Sequence, residues 1–133
     1  MKWFWILIYN LIFYPLLLFL ALIGSLFNQK LRKGIIGRLI AVNKLKKYFK
    51  KIDTNENIYW FHCSSYGEYL QVEPVIEGVK EIEPDAIVVL SFFSPSGYDQ
   101  VEAENIDCKI YLPFDFPWTV HRALRIVNPR KII

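Results

Sequence analysis

Ile58-Tyr59-Trp60-Phe61-His62-Cys63-Ser64-Ser65-Tyr66-Gly67-Glu68 is the stretch that decides the fold. Its first four residues are apolar, β-branched or aromatic and follow the polar Asn55-Glu56-Asn57, the pattern of a buried strand. Ser64 or Ser65 supplies an N-cap oxygen, and Glu68 falls three or four residues later, where the acid of a capping box sits. The stretch therefore predicts a strand, a tight loop and a helix start. In an open α/β sheet such loops line the ligand crevice, and the helix N-terminus adds free N–H groups and partial positive charge. Glu68 has two readings: a cap for its own helix, or a general base facing the crevice.

Downstream, Tyr69, Val72, Val75, Ile76 and Val79 form a helix-period stripe that ends near Glu83-Pro84-Asp85. Pro74 lies inside it, which predicts a kink or a delayed start. Ala86 to Phe93 is a second apolar run with Ser94-Pro95-Ser96-Gly97 as its loop, and Gly97 to Asn105 reads as a short polar helix. Lys109-Ile110-Tyr111-Leu112 is a third strand and Pro113-Phe114-Asp115-Phe116-Pro117 the loop after it. A helix follows over Pro117 to Asn128, with proline in its first turn, and Arg130-Lys131-Ile132-Ile133 starts a fourth strand. Strands alternating with helices at this spacing are βαβ units with right-handed crossovers, so the sheet is expected to be parallel and Rossmann-like. Loops 62–68, 94–97 and 113–117 then share one edge. The last strand lacks the loop that should follow it, which reads as a domain cut short.

Upstream, the 133 residues are 53% hydrophobic and 17% aromatic, too apolar for an ordinary small soluble domain. The excess is local, because no charged residue occurs from Trp3 to Phe27. A helix of that length reaches about 37 Å, enough for a hydrocarbon layer of about 30 Å. Trp3, Phe4, Trp5, Tyr9, Phe13 and Tyr14 crowd one end as an interfacial aromatic belt, and Pro15 is a candidate kink. A cleaved signal peptide has a shorter apolar core and a small-x-small site, so residues 1–27 read as a retained anchor, with an interfacial or hairpin-like helix as the other reading.

The net charge of +3 hides a division. Nine lysines and arginines and no acid lie between Asn28 and Lys51, whereas thirteen acids oppose six bases from Ile52 onward. Within the basic block Leu31, Ile35, Leu39, Val42, Leu45 and Phe49 recur every three or four residues, the pattern of an amphipathic helix interrupted by Gly34 and Gly37. It should lie on the bilayer or pack between bilayer and domain, and attract anionic lipids. By the positive-inside rule the chain after the span is cytoplasmic. The expected division is 1–27 anchor, 28–55 basic helix with the linker Asp53-Thr54-Asn55-Glu56-Asn57, and 56–133 α/β domain. A nucleic-acid role is disfavoured, since the basic block has little aromatic interleaving and its place beside a span explains it. Cys63 and Cys108, without a Cys-x-x-Cys spacing, read as small buried residues rather than a metal or redox site. His62 reads as a buried, hydrogen-bonded strand-end histidine or a crevice residue, His121, Arg122 and Arg125 as surface, and Asp115 as a cap for the helix opening at Pro117 or a ligand contact.

Together these features resemble the N-terminal half of the bacterial Kdo transferases, membrane-anchored glycosyltransferases that add 3-deoxy-D-manno-octulosonic acid to a lipid A precursor. The similarity rests on the anchor, the basic stretch, Phe61-His62-Cys63-Ser64-Ser65-Tyr66-Gly67-Glu68, Phe92-Phe93-Ser94-Pro95-Ser96-Gly97-Tyr98 and Tyr111-Leu112-Pro113-Phe114-Asp115, in order and spacing. Tyr66 replaces a small apolar residue usual in the family, and Ser94-Pro95-Ser96-Gly97 stands for Thr-Pro-Thr-Gly. The resemblance implies the N-terminal domain of a two-domain GT-B enzyme that needs no bound metal or cofactor, without the second acidic motif or the C-terminal domain that holds most of the CMP-Kdo site. It implies Glu68 as the base that deprotonates an acceptor hydroxyl, and inversion at the anomeric carbon as CMP leaves. It further implies that Ser64, Ser65, Gly67, Ser96 and Gly97 contact the acceptor, and that the 133 residues alone do not turn over. The alternatives are a non-catalytic membrane-surface module that binds anionic lipid, and a GT-B transferase with another lipid acceptor.

Overall fold

The computed structural model describes residues 2–52, 55–102 and 104–133; Asp53 and Thr54 of the expected linker and Ala103 of the expected polar helix lie outside them. Helix α1 (Lys2–Ile8) passes through a π turn at Tyr9–Phe13 into α2 (Tyr14–Ser25). The π turn lies just before Pro15, whose missing N–H cannot continue an ordinary ladder, and is closed by Tyr14 N–H donating to Tyr9 O. Trp3–Ser25 is thus one continuous helical segment, long and apolar enough to cross a membrane, and Leu16, Phe19 and Leu20 on it are exposed.

Asn28 caps α3 (Gln29–Phe49), its Oδ1 accepting from Leu31 N–H at 3.2 Å. The expected interruptions at Gly34 and Gly37 do not occur, because both glycines serve packing. A Cβ at Gly37 would stand 2.1 Å from the Tyr111 ring, and one at Gly34 would touch Pro95 at 3.4 Å. Of the two placements open to the basic helix, α3 packs on the domain. Its buried stripe is Ile35, Ala41, Val42 and Leu45, whereas Leu39, placed on that stripe by periodicity, is 63% exposed beside Ile36 and Ile40. The glycines rotate the contact face toward the small residues, so part of the apolar ridge turns outward.

Strand β1 (Ile58–Cys63) is central in a parallel sheet of order β3-β2-β1-β4, with β2 at Ile87–Phe92, β3 at Cys108–Tyr111 and β4 at Lys131–Ile132. The expected parallel α/β sheet is therefore present, with strand boundaries shifted by one or two residues. Crossovers α4 (Tyr66–Ile82) and α5 (Pro95–Gln100) build Phe61, Tyr69, Ile76, Val88, Leu90 and Phe92 into one core layer. Helices α3 and α6 (Pro117–Val127) cover the other face over Val42, Leu45, Trp60, Val89, Ile110 and Ala123. Asn128 ends α6 in the left-handed region at φ 44°. Pro74 neither delays nor breaks α4, which runs unbroken from Tyr66. The direction of connection reverses between β1 and β4, so the topological switch point lies outside their carboxyl ends.

Replacing Gly37 with alanine should overpack the α3–β3 contact and lower unfolding stability by about 1–3 kcal/mol. A lowered thermal midpoint in detergent checks this, with the half-buried Gly78 of α4, whose added Cβ meets nothing within 4 Å, as the comparison in which alanine leaves the midpoint unchanged or raised.

Candidate functional site

All loops at the carboxyl ends of β1, β2 and β3 open on one edge, as parallel strands require. The first two are laced by backbone: Phe93 N–H donates to Cys63 O at 3.2 Å and Ser94 N–H to Ser64 O at 3.0 Å. Ser65 is the N-cap of α4, its Oγ accepting from Glu68 N–H at 3.3 Å. The Glu68 carboxylate folds back, Oε2 accepting from Ser64 N–H at 2.6 Å, one residue upstream of the usual capping-box donor. The carboxylate is exposed, at the β1 loop next to the switch point, on the side where the β2 loop is tied. The structure thus shows Glu68 as a cap, held in one place at the carboxyl edge of the sheet.

The other candidates divide. Ser94 caps α5 and shares a 2.6 Å contact with the exposed Ser96 hydroxyl. Gly97 is buried, and a Cβ there would meet Phe92 at 2.7 Å and Tyr66 N at 3.1 Å, so close packing accounts for the glycine. Gly67 differs: its nearest neighbour to an added Cβ is Ser65 Oγ at 3.9 Å, so nothing in this chain demands a glycine there.

His62 is half-buried, with Nδ1 3.1 Å from both Ser91 O and Oγ. Trp60 Nε1 also donates to Ser91 Oγ at 2.9 Å, so His62 belongs to a satisfied polar knot beneath the crevice. Cys63 and Cys108 are buried, and burial pushes both thiols up to about 11. For Cys63 the Glu68 charge adds to the effect. Among the described residues no three His, Cys, Asp or Glu side chains gather at one point.

Asp115 departs from the expected cap. Phe116 is the N-cap of α6 and no side chain caps it, because phenylalanine offers no acceptor and Asp115 stands one residue too early. Asp115 instead docks the apolar helix: Tyr9 Oη donates to its Oδ2 at 3.2 Å, and its N–H donates to Tyr14 Oη at 2.6 Å. Tyr14 packs edge-on to Phe116 at 4.7 Å, and Phe116 stacks on Trp118 at 4.7 Å. Arg38 was missed in the sequence as well. Its Nη2 donates to Phe93 O at 2.9 Å, its guanidinium lies 3.9 Å over the Phe93 ring, and burial holds it below the usual guanidinium range. An arginine alone on the sheet-facing side of a lysine-rich helix was the available signal.

The statistical model of one family, described as 3-deoxy-D-manno-octulosonic-acid transferase (kdotransferase), matches residues 39–133. The chain belongs to the Kdo transferase family. A 3-deoxy-D-manno-octulosonic acid transferase of Aquifex aeolicus is 29% identical over 93 residues, 67% of this chain and 26% of that protein. One of Haemophilus influenzae is 29% identical over 76 residues, 56% of this chain and 18% of the relative. The chain spans about a quarter or less of the curated relatives it matches. No solved structure matches it. The matched region takes in the three crevice loops, β1 to β4 and the second half of α3, while the apolar helix lies outside it.

With their thiols protonated well above neutral pH, Cys63 and Cys108 should both resist alkylation by iodoacetamide at pH 8 in the folded protein and react after denaturation. Prompt native-state labelling of Cys63 would contradict its placement under the crevice. A Gly67→Ala substitution should leave the thermal midpoint unchanged or raised by helix propensity worth up to about 1 kcal/mol. If substrate approaches that backbone, the same substitution in the full-length protein lowers turnover; unchanged turnover would show that nothing packs against it.

Proposed function

We propose that this chain is the acceptor-binding, base-bearing part of an inverting GT-B glycosyltransferase that moves Kdo from CMP-Kdo to a lipid A precursor. In this reading the apolar helix is a single anchor in the bacterial inner membrane and the α/β domain lies on the cytoplasmic face. The observation that carries it is the Glu68 carboxylate, exposed and pinned at the β1 loop beside the switch point of a parallel sheet. Open α/β sheets bind ligands at that position. Family membership supplies the reaction class.

The chemistry follows from the carboxylate's constraints. A sugar hydroxyl is a weak nucleophile at neutral pH until a positioned base takes its proton as the new bond forms. The Ser64 N–H fixes one carboxylate oxygen, which orients the other without spending a flexible side chain's entropy at the moment of reaction. CMP departs from the anomeric carbon opposite the incoming oxygen, so the configuration inverts and no covalent intermediate forms. Ser64 and Ser65 hold the Glu68 turn, the exposed Ser96 hydroxyl, paired with Ser94, and the Gly97 N–H serve the acceptor's oxygens, and the open side of Gly67 admits the substrate. Helices α3 and α6 contain lysines and arginines but no acid, so this layer faces the anionic lipid surface.

That same layer favours a second reading, a non-catalytic module that binds anionic lipid, because Ile36, Leu39 and Ile40 are exposed among the cations of α3. The readings separate at Glu68. Glutamine in its place keeps an acceptor for the Ser64 N–H, as capping boxes allow either residue, yet cannot take a proton. In the full-length protein Glu68→Gln should lower Kdo transfer about 10²-fold or more with an unchanged thermal midpoint. Near-normal transfer would reject the base, and the lipid-binding module predicts binding to anionic vesicles that is indifferent to the substitution and weakened by salt.

A further inference from the structure

A crevice of about 1040 Å³ lies between the apolar helix and the carboxyl edge of the sheet. This is at the upper end of the range for sites that hold small ligands. One wall is a single face of the membrane-type helix, Tyr14, Leu17, Leu18 and Ala21; the opposite wall comes from α3 and α6 through Ile35 and Leu124. The π turn creates this face, since Tyr9 and Tyr14, five residues apart, come together with ring centroids 5.7 Å apart and both reach Asp115. His62, Ser94 and Pro95 also line the crevice, and Ser94 N–H donates to Ser64 O of the Glu68 loop at 3.0 Å, while Glu68 itself lies outside the lining. The lining is apolar apart from a few groups at the rim, where Lys30 and Arg38 supply positive charge and Tyr9 engages the one carboxylate, Asp115.

We infer that this crevice seats one acyl chain of the phosphorylated glycolipid acceptor, which enters sideways from the bilayer with its phosphate at Lys30 and Arg38. Three observations select this occupant. A helix fit to cross a membrane forms a wall, so the molecules beside the opening are lipids. The rim cations complement a phosphate, and Arg38 commits only Nη2, to Phe93 O, among the hydrogen bonds of the described residues. Ser94 lines the crevice and its N–H is tied to Ser64 O of the Glu68 loop, so the crevice adjoins the edge on which Glu68 stands and a lipid held by its chain has its head group on that side. Burial of methylenes drives binding from water, but a chain already in the bilayer gains nothing from that transfer. The crevice therefore positions the acceptor through shape and the phosphate contact rather than by hydrophobic transfer. The inference rests on the acceptor reading above.

The test uses the full-length protein in zwitterionic nanodiscs with an acylated, phosphorylated glucosamine disaccharide carrying a diazirine at the end of one chain. After irradiation, peptide mapping should find adducts on Leu17, Ile35 or Leu124. Ala21→Trp, which fills the crevice, should cut them at least fivefold while adducts on the outward Phe19 and Leu20 persist. Leu124→Trp, at a partly exposed position, gives the same result by a second route should the first variant fold poorly. Adducts confined to Phe19 and Leu20, or crevice adducts insensitive to both tryptophans, would overturn the inference and point to plain bilayer contact or to another segment filling the space. Transfer is assayed separately with Glu68→Gln. Retained transfer with a normal adduct map would sink the base alone, and lost transfer with an outer-face map would sink the crevice alone.

Discussion

The close contact of Gly37 with the Tyr111 ring is the constraint on which the rest of the molecule depends. Without a side chain at that position, α3 lies directly on β3 and carries Val42 and Leu45 into the core. Only Leu26, Phe27 and Asn28 separate α3 from the end of α2, so seating α3 also aims the apolar helix across the carboxyl edge of the sheet. The tyrosines then fasten it there through Asp115. A helix long and apolar enough to cross a membrane and the loop edge of the sheet thereby become neighbours.

Charge follows the same geometry. The acids of the second half of the chain fall largely on α4, α5 and their flanks, while α3 and α6 on the opposite face are purely basic. Some pairs cross the boundary, as Lys33 does to Asp99 at 3.1 Å, but both partners are largely exposed and contribute little stability. Greater ordering comes from Lys44 and Lys109, which grip Tyr98 where it stacks on Tyr111 at 4.2 Å. The sequence's division into a basic and an acidic half thus becomes a division between two faces of one sheet.

Much of this was legible in the residues. Alternation of apolar runs with helical stripes gave the parallel sheet, and Ser65 with Glu68 gave the start of α4, because both signals are local. Where contacts are distant the sequence misled. The glycines of α3 looked like breaks until Tyr111 came against them, and Leu39 looked inward by period alone. Asp115 looked like a cap because nothing local announces that two tyrosines a hundred residues earlier will claim it. Pro74 looked disruptive, yet α4 passes through it, and nothing in the surrounding contacts explains why the helix stays whole. Membership of the Kdo transferase family extends the legible part to reaction class.

The central claim is that the apolar helix, the basic helix and the sheet form one body that holds the crevice open beside the bilayer. Electron–electron resonance between spin labels at Phe19→Cys and Arg122→Cys, in the full-length protein in nanodiscs, tests it directly, since Cys63 and Cys108 are buried and should stay unlabelled. One narrow distance distribution, broadened by Asp115→Ala, is the predicted result. A broad distribution in the parent protein would mean that the helix swings free of the sheet and that no crevice exists between them.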